Sequence, residues 1–182
     1  MTSLPRHIIR LSDLSNRRPT AFSITPDSDA CAAIAAELGI PGVKKLRFEG
    51  ELSPLGKRDW ELTASLGATV VQDCVITLAP VTTRLDEEVS RRYLSDLPEV
   101  AGGSEVEMPE DDTLEPLPES LDLAAVMIEA LSLALPPYPR VEGAALGDAV
   151  YAADGVKPMS DEEAKPFAGL AALRQKLENK GD

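Results

Sequence analysis

The sequence predicts an α+β domain: an antiparallel, strongly twisted sheet, able to close toward a barrel, packed by a long core helix and carrying an acidic flexible loop. Three observations predict it. Between Val43 and Leu94, apolar and polar residues alternate at the strand period. The breaks inside that block are too short for parallel crossovers, so successive strands run antiparallel with one face buried and the other wet. Downstream, Leu121–Leu135 is apolar nearly all round, as a core helix is.

Taken in order, PRHIIRLSDL and TAFSITPD read as short strands separated by the turn-like SNRRP. DSDACAAIAAELG reads as a helix. Asp27 or Ser28 caps it, alanines favour it, Ile34 and Leu38 lie on its apolar face, and Gly39 with Pro41 stops it. VKKLRFEGEL, DWELTASLGAT, VVQDCVITLAPV and TTRLDEEVSRRYL follow as strands. Leu46, Phe48 and, after a break at Gly50, Leu52 share one face; Trp60, Leu62 and Ala64 share the next, with hairpin chemistry in PLGKRD between them.

Residues 99–120 form the acidic flexible loop, rich in Pro and Gly and without Lys or Arg. SLDLAAVMIEALSLALPP then gives the core helix, started by Ser120 or Asp122 and closed by Pro136 and Pro137. Residues 140–165 read as a loosely structured connection, and 166–180 as a C-terminal helix with Leu170, Leu173 and Leu177 on one face. The whole, residues 1–182, is expected to be one domain. No internal repeat is evident.

Charge is distributed unevenly. Residues 1–98 hold 12 Lys and Arg against 13 Asp and Glu, a net of −1; residues 99–182 hold 6 against 18, a net of −12. Phosphate binding rests on Lys and Arg, so RNA contact is expected only of the balanced first half, and basic proteins are the natural partners of the second. Aromatic residues make up only 4%, too few for base-stacking platforms. No stretch approaches the roughly 20 consecutive apolar residues of a membrane helix. The start MTSLPRHIIR lacks the apolar core of a secretory signal, so a cytoplasmic protein is expected.

Catalytic material is scarce. His7 is the one histidine, set between Arg6 and Arg10 with no nucleophile turn nearby, and reads as a surface or structural residue. There is no phosphate loop of the Walker type and no Gly-x-Gly-x-x-Gly between strand and helix. Cys31 and Cys74 lie far apart and read as reduced, buried thiols, Cys74 within a strand. PEDDTLEPL lacks the ligand spacing of a calcium loop. Glu87 and Glu88 point to opposite faces of a strand, and neither a catalytic residue, a metal nor a cofactor is expected; an enzyme acting on RNA is the weaker alternative.

Two candidate binding surfaces emerge. For a basic partner the candidates are Glu105, Glu107, Glu110, Asp111, Asp112, Glu115 and Glu129. The stretch carrying most of them reads first as a solvated linker, with a tether for a basic partner as the second reading. Glu129 interrupts the apolar helix and is either buried with a cationic or hydrogen-bonding partner or exposed on a stripe with Ser132. For RNA the candidates are Lys44, Lys45, Arg47, Lys57 and Arg58, with Lys45 and Arg47 facing away from Leu46 and Phe48; surface solubility is the competing reading. Arg6, Arg10, Arg17, Arg18, Arg91 and Arg92 form smaller basic clusters.

At VVQDCVITLAPV, LEPLPESLDLAAVMIEALSLALPPYPR and KPFAGLAALRQKL the sequence resembles the bacterial YceD family of large ribosomal RNA subunit accumulation proteins. The most specific stretch is the acid-rich loop followed by Asp122, Leu123, Glu129, Leu131, Leu133, Leu135, Pro136 and Pro139; Pro166, Phe167, Ala168 and Leu170 are similar to the family's short tail. The resemblance implies a ribosome biogenesis factor supporting accumulation of large-subunit ribosomal RNA, with a ribosomal protein or assembly factor as partner, or ribosomal RNA contacted directly. It carries over no catalytic residue. Many relatives have a Cys-x-x-Cys where this chain has Val71 and Cys74, so a metal or redox role for that pair does not transfer.

Overall fold

A computed structural model describes residues 3–97, 113–147, 152, 153, 155, 156 and 159. The chain divides into two compact units, Met1–Gly143 and Ala144–Asp182; the fold below is that of the first. Residues 105–112 and the expected helix 166–180 lie outside the described residues.

The first unit is a mixed α+β fold. Its strands are β1 (Ile8–Arg10), β2 (Thr20–Ile24), β3 (Gly42–Leu55), β4 (Asp59–Asp73), β5 (Pro80–Leu94), β6 (Leu114–Pro116) and β7 (Ser120–Asp122), with helices α1 (Ser28–Glu37) and α2 (Leu123–Ala134). A single 3-10 turn, Leu11–Asp13, follows β1. The main sheet runs β2-β3-β4-β5-β6, and β1 and β7 form a separate antiparallel ribbon. The sheet stays open, ending in the short strands β2 and β6, and no closure toward a barrel occurs.

Helix α1 forms as its sequence dictates. The Asp27 carboxylate accepts the Ala30 N–H at 2.8 Å, satisfying one of the donors a helix start leaves orphaned. Gly39, at φ +64°, lets the chain reverse while the Gly39 and Ile40 N–H groups bond to Ala36 and Ala35 carbonyls. Ile34, fully buried, anchors the helix to the core. Asp122 caps α2 by accepting from Ala124 N–H at 3.1 Å, and also accepts the His7 N–H at 2.8 Å, tying β1 to the helix start.

One hydrophobic core includes Phe22 of β2, Ile34 of α1, Leu46, Phe48 and Leu52 of β3, Leu62 and Leu66 of β4, Val89 of β5, and Leu123, Met127 and Leu131 of α2. Both helices therefore contribute to the same apolar face of the sheet.

Several expectations are corrected. Gly50 is no break: β3 continues through it, paired to Phe22 and Ala64. A Cβ on Gly50 would come within 2.2 Å of the Thr63 carbonyl oxygen, so only glycine allows β3 and β4 to approach this closely. VVQDCVITLAPV is not one strand. Val70 to Asp73 end β4, the chain turns through Cys74–Ala79, and Pro80 opens β5. The Cys74 carbonyl accepts from Leu78, and the Cys74 N–H donates to Ala79; apolar Val75 and Leu78 imitate a strand while standing 47% and 76% exposed.

Within the expected loop 99–120, Leu114–Pro116 is a strand, and it pairs parallel to Arg92–Leu94 where an antiparallel arrangement was expected. The intervening chain is long enough to return before pairing, which a hairpin turn cannot do. Finally, α2 is shorter than Leu121–Leu135 and buried on one face only. Leu123, Ala124, Val126, Met127, Ala130 and Leu131 are buried, whereas Leu133 is 73% exposed.

Candidate functional sites

The cations Lys44, Lys45 and Arg47 come together through a β-bulge. Lys44 pairs with Thr69 and Arg47 with Gly67, so β3 has one residue more than β4 between these points. Lys45 takes φ +51° there, a left-handed conformation that costs a non-glycine residue about 1 kcal/mol. The bulge resolves a conflict in VKKLRF. Strict alternation cannot bury Val43, Leu46 and Phe48 together, but the extra residue does, and it leaves Lys44, Lys45 and Arg47 all exposed.

Sequence reasoning missed Arg84. The ladder Lys44–Thr69–Arg84 across β3, β4 and β5 brings it beside the bulge, where Thr25, Lys45, Arg47, Thr69 and Arg84 line a shallow groove. Its guanidinium lies across Gly67, whose absent Cβ would fall 2.5 Å from Arg84 Nη2. Arg84 Nε donates to Asp86 at 2.9 Å, and this bond, followed by the nearby charges of Arg84 and Arg47, holds the Asp86 carboxyl below its ordinary range. Arg47 reaches Glu49 at 3.4 Å. Lys44 and Lys45 take part in no ion pair among the described residues. The strand register of the β4–β5 hairpin was the signal that could have found Arg84.

Lys57 and Arg58 do not join this group. They occupy the β3–β4 turn beside Gly56 at φ +69°, about 30 Å along the strand from Arg47 at roughly 3.3 Å per residue. There they line a separate groove with Asn16, Trp60 and Glu119. The five expected cations therefore form two sites.

Of the acidic candidates, Glu115 and Glu129 are described, and both hold one cation. Arg91 Nε donates to Glu115 Oε1 at 2.9 Å and Arg91 Nη2 to Glu129 Oε1 at 3.2 Å. Glu129 is thus exposed and paired at once, its side chain 58% accessible against 19% for Arg91. The clamp ties β5, β6 and α2 together, whereas the sequence groups Arg91 with Arg92 as a small basic cluster and not with these glutamates. Glu105, Glu107, Glu110, Asp111 and Asp112 lie outside the described residues.

Cys74 is buried, as expected, but in the turn after β4. Hydrogen bonding from Thr77, then from the Val141 and Thr77 N–H groups, favours the thiolate and lowers the thiol to about 6, against an opposing contribution from burial. Cys31, in contrast, is pushed up by burial. Among the described residues no three His, Cys, Asp or Glu side chains gather as a metal set, and no helix is long and apolar enough to cross a membrane.

The first unit is thus an open sheet with a cationic bulge on one face and an acid-clamped helix on the other. Residues 62–174 match the family model described as large ribosomal RNA subunit accumulation protein YceD. That match covers more than half the chain, from β4 through α2 and beyond, and the chain belongs to the YceD family. No curated protein and no solved structure matches it. The family name implies involvement in accumulating the RNA of the large ribosomal subunit.

Proposed function

We propose that this protein is a non-catalytic, cytoplasmic biogenesis factor for the large ribosomal subunit that binds a basic ribosomal protein or another assembly factor through its acidic second half. The carrying observation is the charge asymmetry, 18 acids against 6 cations in residues 99–182. The Arg91 clamp supplies an intramolecular pattern for how this half receives a guanidinium, between one carboxylate from a strand and one from a helix. The test is capture of partners by the purified full chain from lysate, with and without nuclease, followed by identification of the proteins retained. Enrichment of basic large-subunit proteins after nuclease treatment supports the reading; their loss with the RNA overturns it.

A second reading is direct contact with ribosomal RNA. It is favoured by the bulge that turns Lys44, Lys45 and Arg47 outward beside Arg84. Lys44→Gln with Lys45→Gln should then weaken binding of large-subunit RNA fragments and flatten its salt dependence, because fewer counterions are released. Unchanged RNA affinity in this double variant removes the bulge from consideration.

A further inference from the structure

Strand β5 has an edge that β6 covers only at one end. On one side β5 is paired to β4 along its whole length, from Tyr93 with Trp60 to Pro80 with Asp73. On the other side β6 pairs only with Arg92–Leu94, and among the described residues no strand pairs with residues 80–91 there. Arg92 N–H donates to the Thr113 carbonyl at 2.8 Å and the Leu94 carbonyl accepts from Leu117 at 2.9 Å, so even-numbered residues turn their backbone groups toward this edge. Alternation extends that row through Ser90, Glu88 and Asp86.

A groove of about 590 Å³ runs beside the edge, between β5 and the end of α2. Its apolar wall is Val89, Ala130, Leu133 and Ala134, and the 73% exposed Leu133 finds no cover in the described structure. Its charge is carboxylate. Glu87 and Glu88 line it and enter no ion pair among the described residues, while the lining cation Arg91 is already held by Glu115 and Glu129.

We propose that the β5 edge from residue 82 to 90 and this groove form a strand-addition site for an extended segment of a basic protein, in which cationic residues alternate with apolar ones. The added strand lies end to end with β6 and bonds to Ser90, Glu88 and Asp86. Its apolar side chains enter the groove against Leu133 and Ala134 on the face that also carries Glu87, and its cationic side chains lie on the other face, where they meet Glu88. About eight residues suffice at roughly 3.3 Å each. Charge selects this occupant. A second copy, itself at −13, would set Glu87 and Glu88 against their own counterparts in an antiparallel edge pairing, which is destabilising. The same carboxylates repel a phosphate backbone. The proposal rests on the basic-partner reading above and gives that partner a seat.

The test uses the full chain and a synthetic ten-residue peptide of alternating Lys and Val. Controls are the Glu and Val counterpart, and a Lys and Val peptide with alternate backbone amides N-methylated. Fluorescence anisotropy should show binding of the first peptide only. Amide exchange should slow at least tenfold at Ser90, Glu88 and Asp86, with Val89 and Glu87 unchanged because they already face β4. Glu87→Lys with Glu88→Lys, both exposed positions, should weaken binding at least tenfold while leaving the melt intact, and Leu133→Asp should do so through the groove. If the N-methylated peptide binds as well as the first, and only neutralising the acids of 105–112 removes binding, strand addition is wrong and the basic-partner reading stands. If neither the peptide nor any basic ribosomal protein binds, both fail. Edge amides already slow in the free protein also overturn the proposal: concentration dependence assigns the edge to a second copy, and its absence to the remainder of this chain.

Discussion

At Cys74 two effects oppose one another. Burial favours the neutral thiol, while bonds from Thr77 and Val141 favour the thiolate, and together the bonds outweigh burial. A folded value of about 6 against an ordinary 9.0 means that ionisation stabilises the fold. That contribution is complete above pH 9, declines as pH falls, and is gone below about pH 6. The melting-temperature gap between the parent and Cys74→Ala should therefore shrink from pH 9 to pH 6; a constant gap would mean a neutral thiol throughout. Tyr93 offers the reverse case. It is 1% exposed, its hydroxyl has no hydrogen-bond partner among the described residues, and burial pushes its ionisation well above the ordinary range. Tyr93→Phe removes the orphaned hydroxyl and should raise stability by about 1 kcal/mol, read as a higher urea midpoint at unchanged slope.

Among the elements, β3 and α2 make the sharpest demands on their residues. Gly50→Ala forces a methyl into the backbone of Thr63 and Ala64, which overpacks the sheet and should cost about 1–3 kcal/mol. Gly67→Ala is the control, since the atom it meets first is the far end of the Arg84 side chain, free to swing away, and its cost should stay under about 1 kcal/mol. Leu131→Asp places a charge in the fully buried face of α2 and should cost several kcal/mol, enough to unfold a domain of ordinary stability. A thermal melt matching the parent's would remove α2 from the core. Both helix starts were legible in the sequence because capping is local: Asp27 and Asp122 act on residues two or three positions away. The outward set Lys45 and Arg47 was legible for the same reason. The parallel strand β6 was not, because its pairing depends on residues some twenty positions back, and neither were Arg84 and Arg91, whose partners come from register and from α2. The turn at Cys74 was misread because hydrophobicity alone cannot separate an exposed Val75 from a buried one.

Over the whole molecule, the opposition between a nearly neutral first half and a −12 second half is the property that the described residues only partly display. Glu115 and Glu129 are engaged by Arg91, so neutralising them would alter the clamp between β5, β6 and α2 as well as the charge. A clean test of capture changes Glu105, Glu107, Glu110, Asp111 and Asp112 to Gln or Asn and leaves Glu115 in place. Removing five negative charges lowers the long-range attraction for a cationic protein, and that attraction is screened beyond about 10 Å at 0.1 M salt. Affinity for a basic large-subunit ribosomal protein should therefore fall most at low salt, giving a flatter salt slope than the parent's, with melts run in parallel to separate lost binding from lost folding. The same change should act oppositely on RNA, because fewer carboxylates repel phosphates from the Lys44, Lys45 and Arg84 face. If RNA is the tighter ligand of the parent and neutralisation only strengthens it, while protein affinity is unmoved, the acids serve to limit RNA contact and the basic-partner reading is wrong.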